Sequence, residues 1–196
     1  MDVSSSKLSV SSAKMNKIMI GAGALIVVLM IVSSVSNGMQ RRKIEMQCKN
    51  GDIDICTKLI ESKILKPKEL IMAHAFRGYH YDKKGQYDKA LDDYNEAIKL
   101  NAEEPALYLQ RAGVYADKSD LNNAIPDFNT TIKLSRSPGV LLAAYCGRGL
   151  AEMTKGDAAS ARNDLQEAKN IVRGNKVDCV TKLEQGLGQP PNTATP

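Results

Sequence analysis

The body of the chain repeats one pattern of hydrophobic and polar positions with a period near 34 residues. The stretches that begin at Lys83, Asp117 and Thr154 share this pattern, and the equivalent alanines at 90, 124 and 161 stand 34 and 37 residues apart. A period in this range indicates an array of stacked repeats. We therefore look for the secondary structure of one unit.

Two helices are predicted in the first unit. Ala73, Phe76 and Tyr81 lie on the first helix. The second helix carries apolar residues at steps of three and four, which is the helical spacing; these are Leu91, Tyr94, Ala97 and Ile98. Gly85 lies between the two runs, where a glycine ends a helix.

Counted from Ile71, Pro105 and Leu142, the units share a small residue at positions 8 and 20, a glycine at 15 and a large residue at 24. These positions hold Gly78, Ala112 and Gly149; Ala90, Ala124 and Ala161; Gly85 and Gly156, with Ser119 departing; and Tyr94, Phe128 and Leu165. The set resembles the tetratricopeptide repeat, a helix–turn–helix of 34 residues. The resemblance implies an all-α solenoid of about three full repeats.

The repeat pattern counted one unit upstream finds a degenerate unit before the full repeats. A capping helix is expected after them, and one N-terminal hydrophobic helix is expected before the whole array. The expected segments are a basic tail at 1–17, a hydrophobic segment at 18–40, a linker with the degenerate unit at 41–70, repeats at 71–104, 105–138 and 139–174, a capping helix at 175–187 and a disordered tail at 188–196.

Arginine recurs at position 7 and aspartate at position 23 of every full unit. The arginines are Arg77, Arg111 and Arg148, and the aspartates are Asp93, Asp127 and Asp164. Two interpretations are open: an arginine ladder that binds an acidic ligand, or an ion pair between the two helices of each unit. We favour the structural ion pairs, because the acid recurs in step with the base.

The net charge of +5 belongs to the first residues of the chain. Residues 1–43 hold six Lys/Arg and one Asp, and the remainder holds 21 residues of each sign. A neutral body lacks the basic surface that phosphate binding requires. We therefore expect no nucleic-acid partner.

Residues 18–40 carry no charge, and as a helix of about 34 Å they would cross a hydrocarbon core of about 30 Å. An uncleaved single-pass anchor is favoured, because Arg41, Arg42 and Lys43 close the segment. The alternative is a signal segment cut after Ser36, since Ser34 and Ser36 are small residues at the required spacing.

The flanking charges leave the orientation open, with three lysines before the segment and four basic residues after it. Four cysteines lie beyond it, and an even number favours disulfides in an exported domain. Repeat positions place them as two pairs at the two ends of the array, Cys48 with Cys56 and Cys146 with Cys179. Four free buried thiols in a cytosolic domain are the alternative.

No residue pattern indicates catalysis, a metal or a cofactor. His74 and His80 are the two histidines, and neither has further ligands at metal-binding spacing. His74 stands at a packing position of the repeat. We expect a non-enzymatic protein.

The resemblance implies that a peptide or a partner protein binds on the concave face, which the first helices form. That face is expected to present Met72, Ala75, Tyr79, Asp82, Ala106, Leu109, Gln110, Gly113, Ala116, Ala143, Cys146, Leu150 and Met153. Small and apolar residues predominate, which suits an apolar peptide. Chaperone-binding relatives clamp a C-terminal carboxylate with basic and amide side chains, but this chain has Ala75, Tyr79, Gln110, Ala143 and Gly147 there.

We therefore expect a membrane-anchored interaction module, a scaffold or assembly factor on the periplasmic side of a bacterial membrane. A cytosol-facing docking or import receptor and a secreted binding protein are the alternatives. A short array gains stability from a partner that completes the stack, and a second copy of the chain is one such partner.

Overall fold

The computed structural model describes residue 42 and residues 46–188. The chain divides into two units, Met1–Met46 and Gln47–Pro196, and the helices considered below all belong to the second. The hydrophobic segment at 18–40 and residues 189–196 lie outside the described residues. Within the described part, no helix has both the length and the apolar character needed to cross a membrane.

The second unit is built from α-helices, and its described residues form no strand. After a helical turn at 46–49 the helices are α1 (Ile53–Glu61), α2 (Pro67–Lys83), α3 (Tyr87–Leu100), α4 (Pro105–Asp117), α5 (Leu121–Leu134), α6 (Pro138–Thr154), α7 (Ala158–Val172) and α8 (Asp178–Leu187). The pairs α2/α3, α4/α5 and α6/α7 are the three repeats. The all-helical solenoid that the resemblance implies is confirmed in the described residues.

The first helix of each repeat begins with a proline, at Pro67, Pro105 and Pro138. The proline ring fixes a helical φ at a position whose N–H has no partner within the helix. In repeats 2 and 3, the second helix begins after an aspartate, Asp120 or Asp157, whose side chain accepts a backbone N–H of the first turn. Because of their prolines, α2 and α6 begin four residues before Ile71 and Leu142, the positions from which the repeat units are counted.

The turn between the two helices of a repeat requires a left-handed residue. Gly85 and Gly156 adopt φ values of 69° and 88° there, and Ser119 adopts 60° at the equivalent point of the second repeat. Ser119 therefore adopts the same left-handed backbone conformation as the two glycines, although this conformation is less favourable for serine than for glycine.

Small residues allow the two helices of a repeat to approach closely. Ala90, Ala124 and Ala161 are fully buried. A Cβ atom added at Gly78 would lie 3.2 Å from the Cβ of Asp93, and one at Gly149 would lie 3.1 Å from that of Asp164. These contacts bring the backbone of each first helix against the aspartate-bearing turn of the second.

In each repeat an arginine on the first helix pairs with an aspartate on the second. Nε and Nη2 of Arg77, Arg111 and Arg148 donate to the two carboxylate oxygens of Asp93, Asp127 and Asp164, over 2.6–2.9 Å. The aspartates are buried, and the hydrogen bond to the carboxylate raises the pKa of each arginine although burial acts against it. We call this arrangement the Arg–Asp fork.

The third arginine nitrogen in each fork reaches the unit before it. Nη1 of Arg77 donates to the side-chain oxygen of Thr57. In the same way, Nη1 of Arg111 donates to Asn95, and Nη1 of Arg148 donates to Asn129. One guanidinium therefore ties together the two helices of its own repeat and the preceding unit. In the first repeat, His74 Nδ1 also donates to Asp93 over 2.8 Å, so that this carboxylate accepts three hydrogen bonds.

We expect Asp93→Ala to lower the free energy of unfolding by about 3 kcal/mol, because it leaves Arg77 and His74 without their shared acceptor in a largely buried position. Asp92→Ala is the matched control: Asp92 is exposed, and its loss should change stability by no more than about 0.5 kcal/mol. Urea unfolding followed by circular dichroism measures both. Equal effects of the two variants would mean that the fork contributes nothing beyond a surface charge.

A second pair of variants tests the packing of the first helices. A Cβ at Gly147 would lie 2.5 Å from the buried ring of Phe128, whereas nothing lies within 4 Å of a Cβ at Gly113. Gly147→Ala should therefore destabilise the fold by about 1–3 kcal/mol. Gly113→Ala should stabilise it by about 0.5–1 kcal/mol, because alanine is the better helix former. Thermal unfolding would contradict this packing if both variants shifted the midpoint in the same direction.

Candidate functional site

The first helices form the inner side of the solenoid. The backbones of α2 and α4 approach each other, as do those of α4 and α6, whereas α3, α5 and α7 make no such contacts among themselves in the described part of the chain. Repeats that are spaced more closely on one side curve towards that side. We therefore call the surface of α2, α4 and α6 the concave face.

The residues expected on this face differ in how far they reach solvent. Met72 and Tyr79 are the large apolar side chains that protrude, at 46% and 41% exposure. Gln110 and Ala143 are exposed too, and the rest of the expected set is partly buried: Ala75, Asp82, Ala106, Leu109, Gly113, Ala116, Leu150 and Met153. Leu109 packs against a core cluster around Phe128, and Gly186 of α8 approaches Met153.

Cys146 corrects the expected concave set. It is 3% exposed and lies in a core cluster with Ala168, Val172 and Val180. Its sulfur is bonded to Cys179, so that a disulfide joins α6 to α8. Cys146 therefore belongs to the packing of the capping helix and offers no surface to a ligand.

A groove lies between α2 and α4 on the concave face. It has a volume of about 390 Å³, within the range of ligand pockets. Its lining is largely apolar and consists of Lys49, Ala75, Phe76, Tyr79, Tyr94, Ala106, Leu107 and Gln110. We call it the α2/α4 groove. It brings together four residues of the expected set, namely Ala75, Tyr79, Ala106 and Gln110.

Tyr94 of α3 is the most buried residue of the α2/α4 groove, at 1% exposure. Its hydroxyl is buried and has no hydrogen-bond partner among the described residues. Burial raises the pKa of this hydroxyl, and the negative charges of Asp82 and Asp93 raise it further. The hydroxyl is therefore neutral at physiological pH and is able to donate a hydrogen bond.

The rim of the groove combines an aromatic ring with a positive charge. Tyr79 packs edge-on against His80, with 5.3 Å between the ring centroids, and Lys83 Nζ lies 5.2 Å from the centroid of the Tyr79 ring. The hydrogen bond to Asp82 raises the pKa of Lys83. These contacts hold Tyr79 in place while leaving much of its ring accessible.

Lys49 reaches the groove from the segment before α1. A disulfide between Cys48 and Cys56 ties this segment to α1, and His80 Nε2 lies 3.1 Å from the carbonyl oxygens of both Cys48 and Lys49. The backbone beside it turns at Gly51, where φ is 111° and the His80 ring packs close by. The disulfide and the histidine together position Lys49 against α2.

Sequence reasoning missed four lining residues, and for different reasons. Phe76 and Leu107 lie one step beside the expected stripe, and Tyr94 stands at a position that the repeat pattern assigns to packing. Lys49 precedes the full repeats, so no repeat position pointed to it. Of these four residues, only Tyr94 carried a signal in the sequence, because a tyrosine hydroxyl at a buried packing position needs a hydrogen-bond partner.

A second, polar pocket of about 250 Å³ lies beside the third Arg–Asp fork. Asn129, Arg148, Glu152, Ser160, Asn163 and Asp164 line it. Glu152 stands where Tyr81 and Tyr115 stand in the other repeats, so the smaller side chain leaves space there. Arg148 and Asp164 are already committed to each other in this pocket, and no cluster of metal-ligating residues occurs among the residues described.

Comparisons with known proteins agree with this architecture. A family model of the tetratricopeptide repeat matches residues 71–103. Stress-induced-phosphoprotein 1 of Caenorhabditis elegans is 30% identical over 133 residues, which are 62% of this chain and 42% of that protein. The chain spans between 16% and 42% of the length of three curated relatives.

Many solved structures resemble the fold, and two of them illustrate the similarity. One is the first repeat domain of Spaghetti (RPAP3) bound to the HSP90 peptide SRMEEVD, with 25% identity, a TM-score of 0.55 and coverage of 60% of this chain and 89% of that one. The other is the second repeat domain of human RPAP3 in complex with the HSP70 peptide SGPTIEEVD, with 25% identity, a TM-score of 0.57 and coverage of 63% and 100%. The chain thus carries a tetratricopeptide repeat at residues 71–103, within an all-helical solenoid of the same type.

Proposed function

We propose that this chain is a membrane-anchored interaction module that binds an apolar segment of a partner protein on its concave face. The observation that carries the proposal is the α2/α4 groove, a preformed apolar cleft beside the exposed side chains of Met72 and Tyr79. Preformed apolar clefts with an aromatic rim are where interfaces concentrate their binding energy. The module acts as a scaffold or an assembly factor and needs no catalytic group.

The chaperone peptides bound by the two RPAP3 domains are a different kind of ligand. The resemblance implies a clamp of basic and amide side chains around a terminal carboxylate in chaperone-binding repeats, and this chain has Ala75, Tyr79, Gln110, Ala143 and Gly147 at those positions. Among the residues that line the α2/α4 groove, Lys49 is the one cationic side chain. We therefore assign the groove to an internal segment of a partner and not to a chaperone C-terminus.

The location that we propose is the extracytoplasmic side of a membrane, with residues 18–40 as the anchor. Two observations support it: the uncharged segment itself and the pairing of all four cysteines as disulfides. Disulfides persist in oxidising compartments and are rare in the cytosol.

Gly113→Trp tests the binding face. A side chain at Gly113 meets open space on the concave face, so the variant should fold normally while its indole obstructs the face. We expect chemical cross-linking in the native cells to lose the partner with Gly113→Trp and to retain it with Glu167→Trp, which places the same side chain at an exposed position of α7. A partner that cross-links equally to both variants would contradict binding on the concave face.

A reporter that is active only outside the cytosol, fused after Pro196, tests the location. We expect an active reporter, digestion of the repeats by protease added to intact cells, and no cysteine that alkylates without reductant. An inactive reporter with four reactive thiols would instead make the protein a cytosol-facing docking receptor. N-terminal sequencing separates an anchored protein from one that is secreted after cleavage at Ser36.

A further inference from the structure

The third repeat departs from the other two at position 11. Tyr81 and Tyr115 stand there in repeats 1 and 2, and each packs against a buried core cluster. Repeat 3 has Glu152 instead, which lines the polar pocket of about 250 Å³. Each of the three side chains acts electrostatically on the arginine of its own Arg–Asp fork, so the three occupy equivalent places. This pocket, which we call the Glu152 pocket, therefore lies where the other repeats place an aromatic ring.

The first repeat places a cation over its position-11 side chain. Lys89, at position 19, carries its Nζ 5.3 Å from the centroid of the Tyr81 ring. Position 19 of repeat 3 is Ser160, which lines the Glu152 pocket and carries no charge. Repeat 3 therefore has a carboxylate at position 11 and lacks a cation of its own at position 19. A cation that takes the place of Lys89 there has to come from outside the repeat.

The residues that line the Glu152 pocket leave one negative charge without a paired cation. Arg148 and Asp164 neutralise each other through two hydrogen bonds. Glu152 makes neither a hydrogen bond nor an ion pair within the part of the chain that the structure describes. Asn163 and Ser160 add amide and hydroxyl oxygens to the same lining. A carboxylate beside neutral acceptors suits the planar, donor-rich guanidinium group of arginine.

The Glu152 pocket opens away from the concave face. Its exposed lining residues, Asn129 and Asn163, belong to α5 and α7, the second helices of two neighbouring repeats. The concave face is formed by the first helices. A protein that contacts this pocket therefore docks on the opposite side of the solenoid from the α2/α4 groove.

We propose that the Glu152 pocket binds an arginine side chain of a partner protein that docks on the second helices of repeats 2 and 3. Glu152 pairs with the guanidinium group, Asn163 and Ser160 accept further hydrogen bonds from it, and the stem of the arginine fills the place of the tyrosine ring. A side chain supplies the cation, as the side chain of Lys89 does in repeat 1. This contact goes beyond the proposed function and does not depend on it.

Titrations of the full 196-residue chain followed by nuclear magnetic resonance test this inference. The probe is the blocked tripeptide acetyl-Ala-Arg-Ala-amide, and its matched control carries citrulline, the uncharged isostere of arginine. We expect the arginine probe to shift the side-chain amide signals of Asn129 and Asn163 saturably, and the citrulline probe to leave them unchanged. Added salt should weaken the binding of the arginine probe, because the contact is a charge pair near the surface.

Three substitutions separate the charge of the pocket from its shape. Glu152→Gln keeps the space and removes the charge, so the affinity for the arginine probe should fall about tenfold. Glu152→Tyr restores the aromatic ring of the other repeats, so it should abolish binding and leave the thermal midpoint unchanged or higher. Ser160→Lys supplies the lysine of repeat 1 within the chain and should also prevent binding. Glu103→Gln, at an exposed position before α4, is the matched control and should bind as wild type.

The inference is overturned if the citrulline probe shifts the two amide signals as strongly as the arginine probe does. It is equally overturned if the arginine probe gives no saturable shift, or if Glu152→Gln binds it as tightly as wild type. N-methylguanidinium identifies the source of the cation: we expect it to bind no more tightly than the tripeptide. Binding of N-methylguanidinium without binding of the tripeptide would make the pocket a site for a small guanidinium compound and refute a partner's arginine.

Gly113→Trp separates this inference from the proposed function. The variant obstructs the concave face and should bind the arginine probe as wild type does. If Gly113→Trp loses the probe, the arginine binds on the concave face and the assignment to the Glu152 pocket is refuted. If Gly113→Trp retains both the probe and the cellular partner, the Glu152 pocket stands and concave-face binding is refuted.

Discussion

The Arg–Asp fork is the interaction on which the arrangement of the repeats depends. An aspartate buried between two helices is tolerable only with a matched cation, and the planar guanidinium meets both carboxylate oxygens at once. Because Nη1 remains free for the preceding unit, each of Arg77, Arg111 and Arg148 fixes a contact within its repeat and a contact between units. The fork therefore sets the stacking of the solenoid together with the small residues that bring its helices close.

The concave face follows from that stacking. Close approach of neighbouring first helices leaves their small side chains, Ala75 and Ala106, facing a gap that larger residues would fill. Tyr94 lies beneath the same gap, and its buried ring packs the second helix. The α2/α4 groove thus arises where packing residues and small residues meet, and it is largely apolar.

The two disulfides act at the ends of the array, where each terminal helix has a neighbour on one side only. Cys146–Cys179 fastens α8 to the last repeat, and Cys48–Cys56 fastens the turn that carries Lys49. Terminal units of a solenoid open most readily, so a covalent link there restrains local opening more than one in the middle would. At the N-terminal end this restraint also holds Lys49, which lines the α2/α4 groove.

The sequence by itself determined the helices, their pairing into repeats and the small positions between them, because each of these recurs at a fixed spacing within a unit. The resemblance to the tetratricopeptide repeat also marked Ala75, Tyr79, Ala106 and Gln110 as one surface, since it implies that the first helices form the concave face. Tertiary structure alone decided that Lys49 joins that surface, that Asn95 and Asn129 complete the forks, and that the Tyr94 hydroxyl is left unsatisfied. These features depend on how units far apart in the chain are set against one another, and the spacing within one repeat carries no information about that.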